Sequence, residues 1–180
     1  CTSWGRQAMK KILQTKPDVV LTAMRFQKAL PPGKTDGHDR TRAAMVDGLV
    51  SYWRKLQSAG IPVVSVLDTP MPTTHPVYEC VAEHPDNLRA CAYDTAEGVA
   101  QSGAPAQLAA VSRVPGVNVI DMTKTVCPDD GRCPAVIGNV LVYRDGSHLT
   151  RTFADSAEPQ FAAELARATD GAFGHESAGR

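Results

Sequence analysis

Residues 39–70, DRTRAAMVDGLVSYWRKLQSAGIPVVSVLDTP, decide the fold. Val46, Leu49, Val50, Trp53 and Leu56 recur at helical spacing across 39–59, and Gly60 supplies the stop. The run that follows, Ile61-Pro62-Val63-Val64-Ser65-Val66-Leu67, is apolar except for Pro62 and Ser65. A strand with one wet face would alternate, whereas a continuous Val-rich run suits a strand covered on both faces. Asp68-Thr69-Pro70 ends the strand in a turn. A helix feeding a doubly buried strand is the unit of an α/β fold.

The unit recurs on either side. Upstream, Trp4 to Lys16 places Ala8, Met9, Ile12 and Leu13 on one helical stripe, Pro17 ends it, and Asp18 to Ala23 reads as a buried strand. Met24 to Asp39 is rich in Pro, Gly and charge and reads as a long loop. Downstream come a loop bounded by Cys80 and Cys91, a helix near Ala104 to Arg113 and a strand from Val117 to Asp121. Ala135-Val136-Ile137 and Val140 to Tyr143 flank Gly138-Asn139, a two-residue hairpin signal. A last helical stretch covers Thr150 to Thr169, with Pro159 dividing it. The expectation is one α/β domain over residues 1–170, a mainly parallel sheet with helices on both faces, and a disordered tail at 171–180. In such folds, functional groups gather beyond the carboxyl ends of strands, here after Ala23, Leu67, Ile120 and Tyr143.

Composition narrows the function classes. With 43% hydrophobic and 21% charged residues the chain reads as a globular protein, and 180 residues suffice for one buried core. Nineteen basic side chains balance nineteen acidic ones, which gives no reason to expect nucleic acid or an anionic membrane as partner. No apolar run approaches the ~20 residues that span a bilayer. Cys80 with Cys91, and Cys127 with Cys133, each bracket a polar, turn-forming segment. Two local disulfides are the simplest reading, and they imply an oxidising compartment. The alternative is a zinc site, although neither spacing has the two-to-four-residue gap usual for one. Cys1 is left over, and its partner is expected upstream of the chain.

Asp145 and His148 carry the chemistry. They lie between a strand and a helix in Tyr143-Arg144-Asp145-Gly146-Ser147-His148-Leu149-Thr150. A D-x-x-H spacing lets the carboxylate bond one imidazole nitrogen and leaves the other free to take a proton from a serine hydroxyl. On spacing alone, solvated loop residues or caps would look the same. Ser147 is a poor nucleophile for this pair, because adjacent side chains of an extended chain point to opposite sides. His38, His75, His84 and His175 read as surface histidines, Trp53 as core, and Trp4 as core or subdomain packing. The sequence suggests no metal and no organic cofactor.

The block from Tyr143 to Thr150 resembles the last motif of the SGNH family of serine esterases and acyltransferases. It is most similar to the extracytoplasmic SGNH domains fused behind a membrane acyltransferase-3 module. Cys1-Thr2-Ser3-Trp4, Asp68-Thr69-Pro70, the loop from Cys80 to Cys91, and Ile120-Asp121-Met122 before a Cys-Pro turn match that branch in order. The resemblance implies a three-layer α/β/α, flavodoxin-like sheet and a Ser-His-Asp triad with His148 as base and Asp145 as its partner. Apart from the resemblance, Asp68 and Thr69 stand at a strand end that Pro70 turns, and read either as the border of an acyl pocket or as a structural turn. The resemblance further implies an acyl, most simply acetyl, group moved from a donor to a cell-envelope carbohydrate. The domain would be monomeric, extracytoplasmic, and tethered through an N-terminal acyltransferase-3 module in the same polypeptide. A carbohydrate O-acetyl esterase, or a non-catalytic carbohydrate-binding or docking module, are the alternatives. The chain contains no Gly-Asp-Ser, so the serine and the first strand are expected upstream of Cys1. Nor does Met24-Arg25-Phe26 supply the family's Gly-x-Asn-Asp, so an oxyanion donor there would be a backbone N–H or another side chain.

Overall fold

The computed structural model describes residues 2–74, 76–129 and 131–170. Cys1 and its expected partner, His75, His175 and the tail at 171–180 lie outside the described residues. In chain order the first elements are helix α1 (Thr2–Thr15), strand β1 (Val20–Ala23), α2 (Arg42–Ser58) and β2 (Val63–Val66). Next come α3 (Val77–Glu83), β3 (Tyr93–Asp94), α4 (Thr95–Gln101), α5 (Ala104–Val111) and β4 (Asn118–Ile120). The chain closes with α6 (Thr123–Val126), β5 (Arg132–Cys133), β6 (Val136–Ile137), β7 (Val140–Leu141), α7 (Arg151–Ser156) and α8 (Glu158–Ala168).

The sheet is parallel, in the order β1-β2-β4, with Val20 opposite Val63 and Val64 opposite Asn118. Helices cover both faces, as expected. On one, Trp53 and Leu56 of α2 and Ala106 and Ala110 of α5 pack with Val20 and Val63; on the other, Phe161, Leu165 and Ala168 of α8 meet Val64 and Ile120. Helix α2, read from the sequence across 39–59, begins at Arg42, three residues after Asp39. Asp39 falls in a short 3-10 turn, and Thr41 caps α2 by accepting the Ala44 N–H at 3.1 Å. Its end is as read: Gly60 takes φ 75°, and the Ile61 N–H reaches back to the Leu56 carbonyl at 3.0 Å. Gly138 and Asn139 both have positive φ, the conformation a two-residue hairpin needs between β6 and β7.

Two readings are corrected, and the two local disulfides are borne out. Trp4 is not core but 75% exposed, because it sits five residues before the buried Met9, about 140° round the helix. The stretch from Cys80 to Cys91 is no simple loop: Cys80 belongs to α3 and Cys91 closes a 3-10 turn (Leu88–Cys91). The cysteines form the disulfides Cys80–Cys91 and Cys127–Cys133, which removes the zinc alternative for those residues. Both disulfides lie in a second cluster with Val77, Tyr93, Val142, Tyr143 and Phe153, apart from the helices on the sheet.

Candidate active site

The loop after β7 is closed by its own backbone. Tyr143 and Leu149 form an antiparallel bridge, and the Arg144 N–H donates to the His148 carbonyl at 2.9 Å. Thr150 anchors the far side. Its hydroxyl donates to the Leu141 carbonyl and accepts the Phe153 N–H, so one side chain both holds the hairpin and caps α7. Between these fixed points Asp145 turns inward on the loop. Its Oδ1 accepts the backbone N–H groups of Ser147 at 2.9 Å and His148 at 2.8 Å. Its Oδ2 lies 2.8 Å from His148 Nδ1.

This geometry fixes the roles of the two imidazole nitrogens. With Nδ1 on the carboxylate, Nε2 has no hydrogen bond to any described residue and stands available for a proton transfer. Asp145 is held well below the usual carboxylate range, first by the His148 N–H, then by the Ser147 N–H, with the His148 ring adding to both. It is therefore an anion at any ordinary pH. Arg144 lies 3.6 Å from Asp145, at the solvent edge. Side-chain exposures of 42% for Asp145 and 54% for His148 place the pair on an open surface.

The loop is bolted to the sheet through the turn after β2. The Tyr143 hydroxyl, fully buried, donates to the Pro70 carbonyl at 2.6 Å. Tyr93 donates to the same oxygen at 3.1 Å, so both lone pairs of that carbonyl are used. Burial pushes the Tyr143 phenol up to about 12, and also raises that of Tyr93. The turn's other contacts explain Asp68. Its carboxylate accepts the Gly103 N–H at 2.7 Å, and its own N–H donates to Gln107 Oε1 at 2.8 Å. Burial raises the Asp68 carboxyl, and hydrogen bonds from Gly103 and Thr69 oppose the rise. Thr69 reaches the Tyr143 hydroxyl.

Two glycines let these parts meet. A Cβ on Gly98 would lie 2.9 Å from the Met71 carbonyl and 3.1 Å from Pro70 Cβ. One on Gly103 would lie 3.0 Å from the Met24 carbonyl, so the loop after β1 closes onto the start of α5. Sequence reading missed Tyr93, Gly98, Gly103 and Gln107, whose partners lie tens of residues away. It also passed over Tyr78, whose phenol is raised by its bond to Glu79 and, among lesser causes, by the nearby charge of Asp145. Among the described residues, no group of three His, Cys, Asp or Glu side chains is placed to hold a metal ion. No helix there is long and apolar enough to cross a membrane.

Comparison with known proteins gives a consistent answer. No curated protein matches the chain. Among solved structures, the periplasmic domain of a lipopolysaccharide acetyltransferase from Salmonella ser. Paratyphi A superposes with a TM-score of 0.59 at 16% identity. That match covers 89% of this chain and 61% of the other, so this chain spans less than two thirds of its length. At such identity the likeness speaks for the fold. The profile of the SGNH domain, described as fused to AT3 domains, matches residues 1–163. From the α1 helix to the middle of α8, therefore, this chain belongs to the family of SGNH domains fused to AT3 domains.

Proposed function

We propose that this domain transfers an acyl group, most simply acetyl, to a hydroxyl of a cell-envelope carbohydrate through a Ser-His-Asp triad whose serine lies upstream of Cys1. The observation that carries the reading is the 2.8 Å contact between Asp145 Oδ2 and His148 Nδ1 on a carboxylate already fixed by two backbone N–H groups. In the first half-reaction His148 Nε2 takes the serine proton as the oxygen attacks the acyl donor, then returns it to the departing group. In the second, Nε2 takes a proton from the sugar hydroxyl as that oxygen attacks the acyl-serine, and the serine recovers its proton. Asp145 holds the ring and balances the imidazolium charge. Asp68 and Thr69 border the acyl side through the turn they hold, and the Met24-Arg25-Phe26 loop serves the oxyanion through a backbone N–H or another side chain.

Family membership supports an N-terminal acyltransferase-3 module in the same polypeptide, which would deliver the acyl donor and tether the domain. The two disulfides support an extracytoplasmic site. Among the described residues no strand pairs with the outer edge of β1, which supports an upstream strand, since one added there would end beside the loops after β1 and β2. A second reading, hydrolysis of a carbohydrate O-acyl ester, is favoured by one feature: His148 is half exposed, so water can reach Nε2. Measuring ester hydrolysis against transfer to added sugar acceptors separates the two.

The test uses the polypeptide that includes the upstream serine block. His148→Ala should lower turnover by roughly 10⁴ to 10⁶ with the circular dichroism spectrum unchanged. The upstream serine should label with a fluorophosphonate in the wild type. Turnover within tenfold of wild type in the variant would remove His148 from the mechanism.

A further inference from the structure

Far along the chain from the dyad, α1 and α2 frame a groove of about 730 Å³ that the protein does not fill. Two glycines keep it open. A Cβ built on Gly5 or on Gly48 would meet nothing within 4 Å, so neither glycine is required by packing. Gly48 lies inside α2, where glycine costs helix stability relative to alanine. Met9, Leu13 and Tyr52 form the groove's apolar side, and Arg6, Lys10 and Lys55 line it with positive charge. Among the described residues none of these three cations pairs with a carboxylate.

The charge is local. Residues 2–17 carry Arg6, Lys10, Lys11 and Lys16 and no acidic residue, a segregation that the chain's net charge of zero conceals. Gly48 and Ser51 also line a second trough of about 590 Å³ under Ala29, Leu30, Pro31 and Pro32, whose one carboxylate, Asp47, is paired with Arg113. An anion alone would satisfy the cations and leave the apolar side wet. An amphiphile with an anionic head satisfies both.

We infer that the α1–α2 groove takes the anionic headgroup and first acyl carbons of a phospholipid, and so docks this face of the domain on an anionic bilayer. The inference is independent of the acyl-transfer reading. It is tested with the purified chain and vesicles of phosphatidylcholine, with or without one quarter phosphatidylglycerol, by co-sedimentation. Binding should require phosphatidylglycerol. The triple substitution Arg6→Glu, Lys10→Glu, Lys55→Glu should weaken it by at least about a hundredfold, at roughly fivefold per lost cation. Gly48→Leu changes no charge but fills the groove, and should weaken binding about tenfold with an unchanged or higher Tm. The inference fails if pure phosphatidylcholine binds equally, or if either variant binds as wild type does. It also fails if inorganic phosphate binds as tightly in calorimetry. Self-association that the same variants abolish would assign the groove to a second copy of the chain and overturn the lipid.

Discussion

At Asp145 two backbone N–H groups, of His148 and Ser147, converge on one carboxylate oxygen while the other faces the imidazole. The order of these effects matters, because the peptide groups stay donors at every pH. Asp145 is thus ionised in the fold at pH values where a free aspartate, near ~3.9, is half protonated. A carboxyl lowered by folding contributes stability above its unfolded value, and that contribution is lost as pH falls through the folded value. Asp145→Asn should therefore destabilise the domain at neutral pH, with the difference from wild type shrinking below about pH 4. Urea unfolding at stepped pH reads this, and a carboxyl ¹³C titration should place Asp145 well below ~3.9. A midpoint near the free value would refute the account. At this scale the D-x-x-H spacing made the pair legible, since loop closure and dyad share the seven residues from Tyr143 to Leu149. Asp68 was legible as a turn but not in its use, because its partners, Gly103 and Gln107, lie 35 and 39 residues on.

Between elements, the turn after β2 is the joint that carries the dyad. The buried Pro70 carbonyl receives a hydroxyl from Tyr93 on β3 and another from Tyr143 just after β7. Either donor alone leaves the carbonyl satisfied; losing both strands a buried acceptor. Tyr93→Phe and Tyr143→Phe should each cost about 1 kcal/mol. The double variant should cost more than their sum by about 1 kcal/mol, the added price of an unpaired buried oxygen. Additivity to within about 0.3 kcal/mol would show that the two hydroxyls do not share an acceptor. Long elements were readable because their faces are. α2 buries Val46, Val50, Trp53 and Leu56 in one stripe. The short helices were not: α3 buries only Val77, and α4 only Gly98, so neither leaves a period to find. Gln107 hid in plain view, a polar residue 1% exposed on an otherwise Ala-rich helix, bonded to Ser65 and Val66 of the strand it covers.

Across the whole molecule, the sheet ends at β1 with no strand beside it among the described residues. That edge is not dressed as edges usually are, with charge, proline or a bulge within the strand. β1 reads Val20-Leu21-Thr22-Ala23, and its face opposite α2 is bare, with Leu21 43% exposed and Ala23 exposed beside it. A parallel edge left apolar and unpaired is a template for another strand. In the proposed reading the occupant is the strand that precedes the serine, and its carboxyl end would then stand in line with the turns after β1 and β2. Pairing would satisfy the outward amides of β1 and set a side chain of the new strand beside Leu21 on the same face, a contact worth up to about 1 kcal/mol. For a domain of this size such a gain raises Tm by about 2–4 °C. A polypeptide extended upstream through the serine block should therefore melt higher than residues 1–180 and exchange its β1 amides more slowly in hydrogen–deuterium exchange. If β1 exchanges equally fast in both, the edge is not where the strand docks, and the serine must reach His148 by another route.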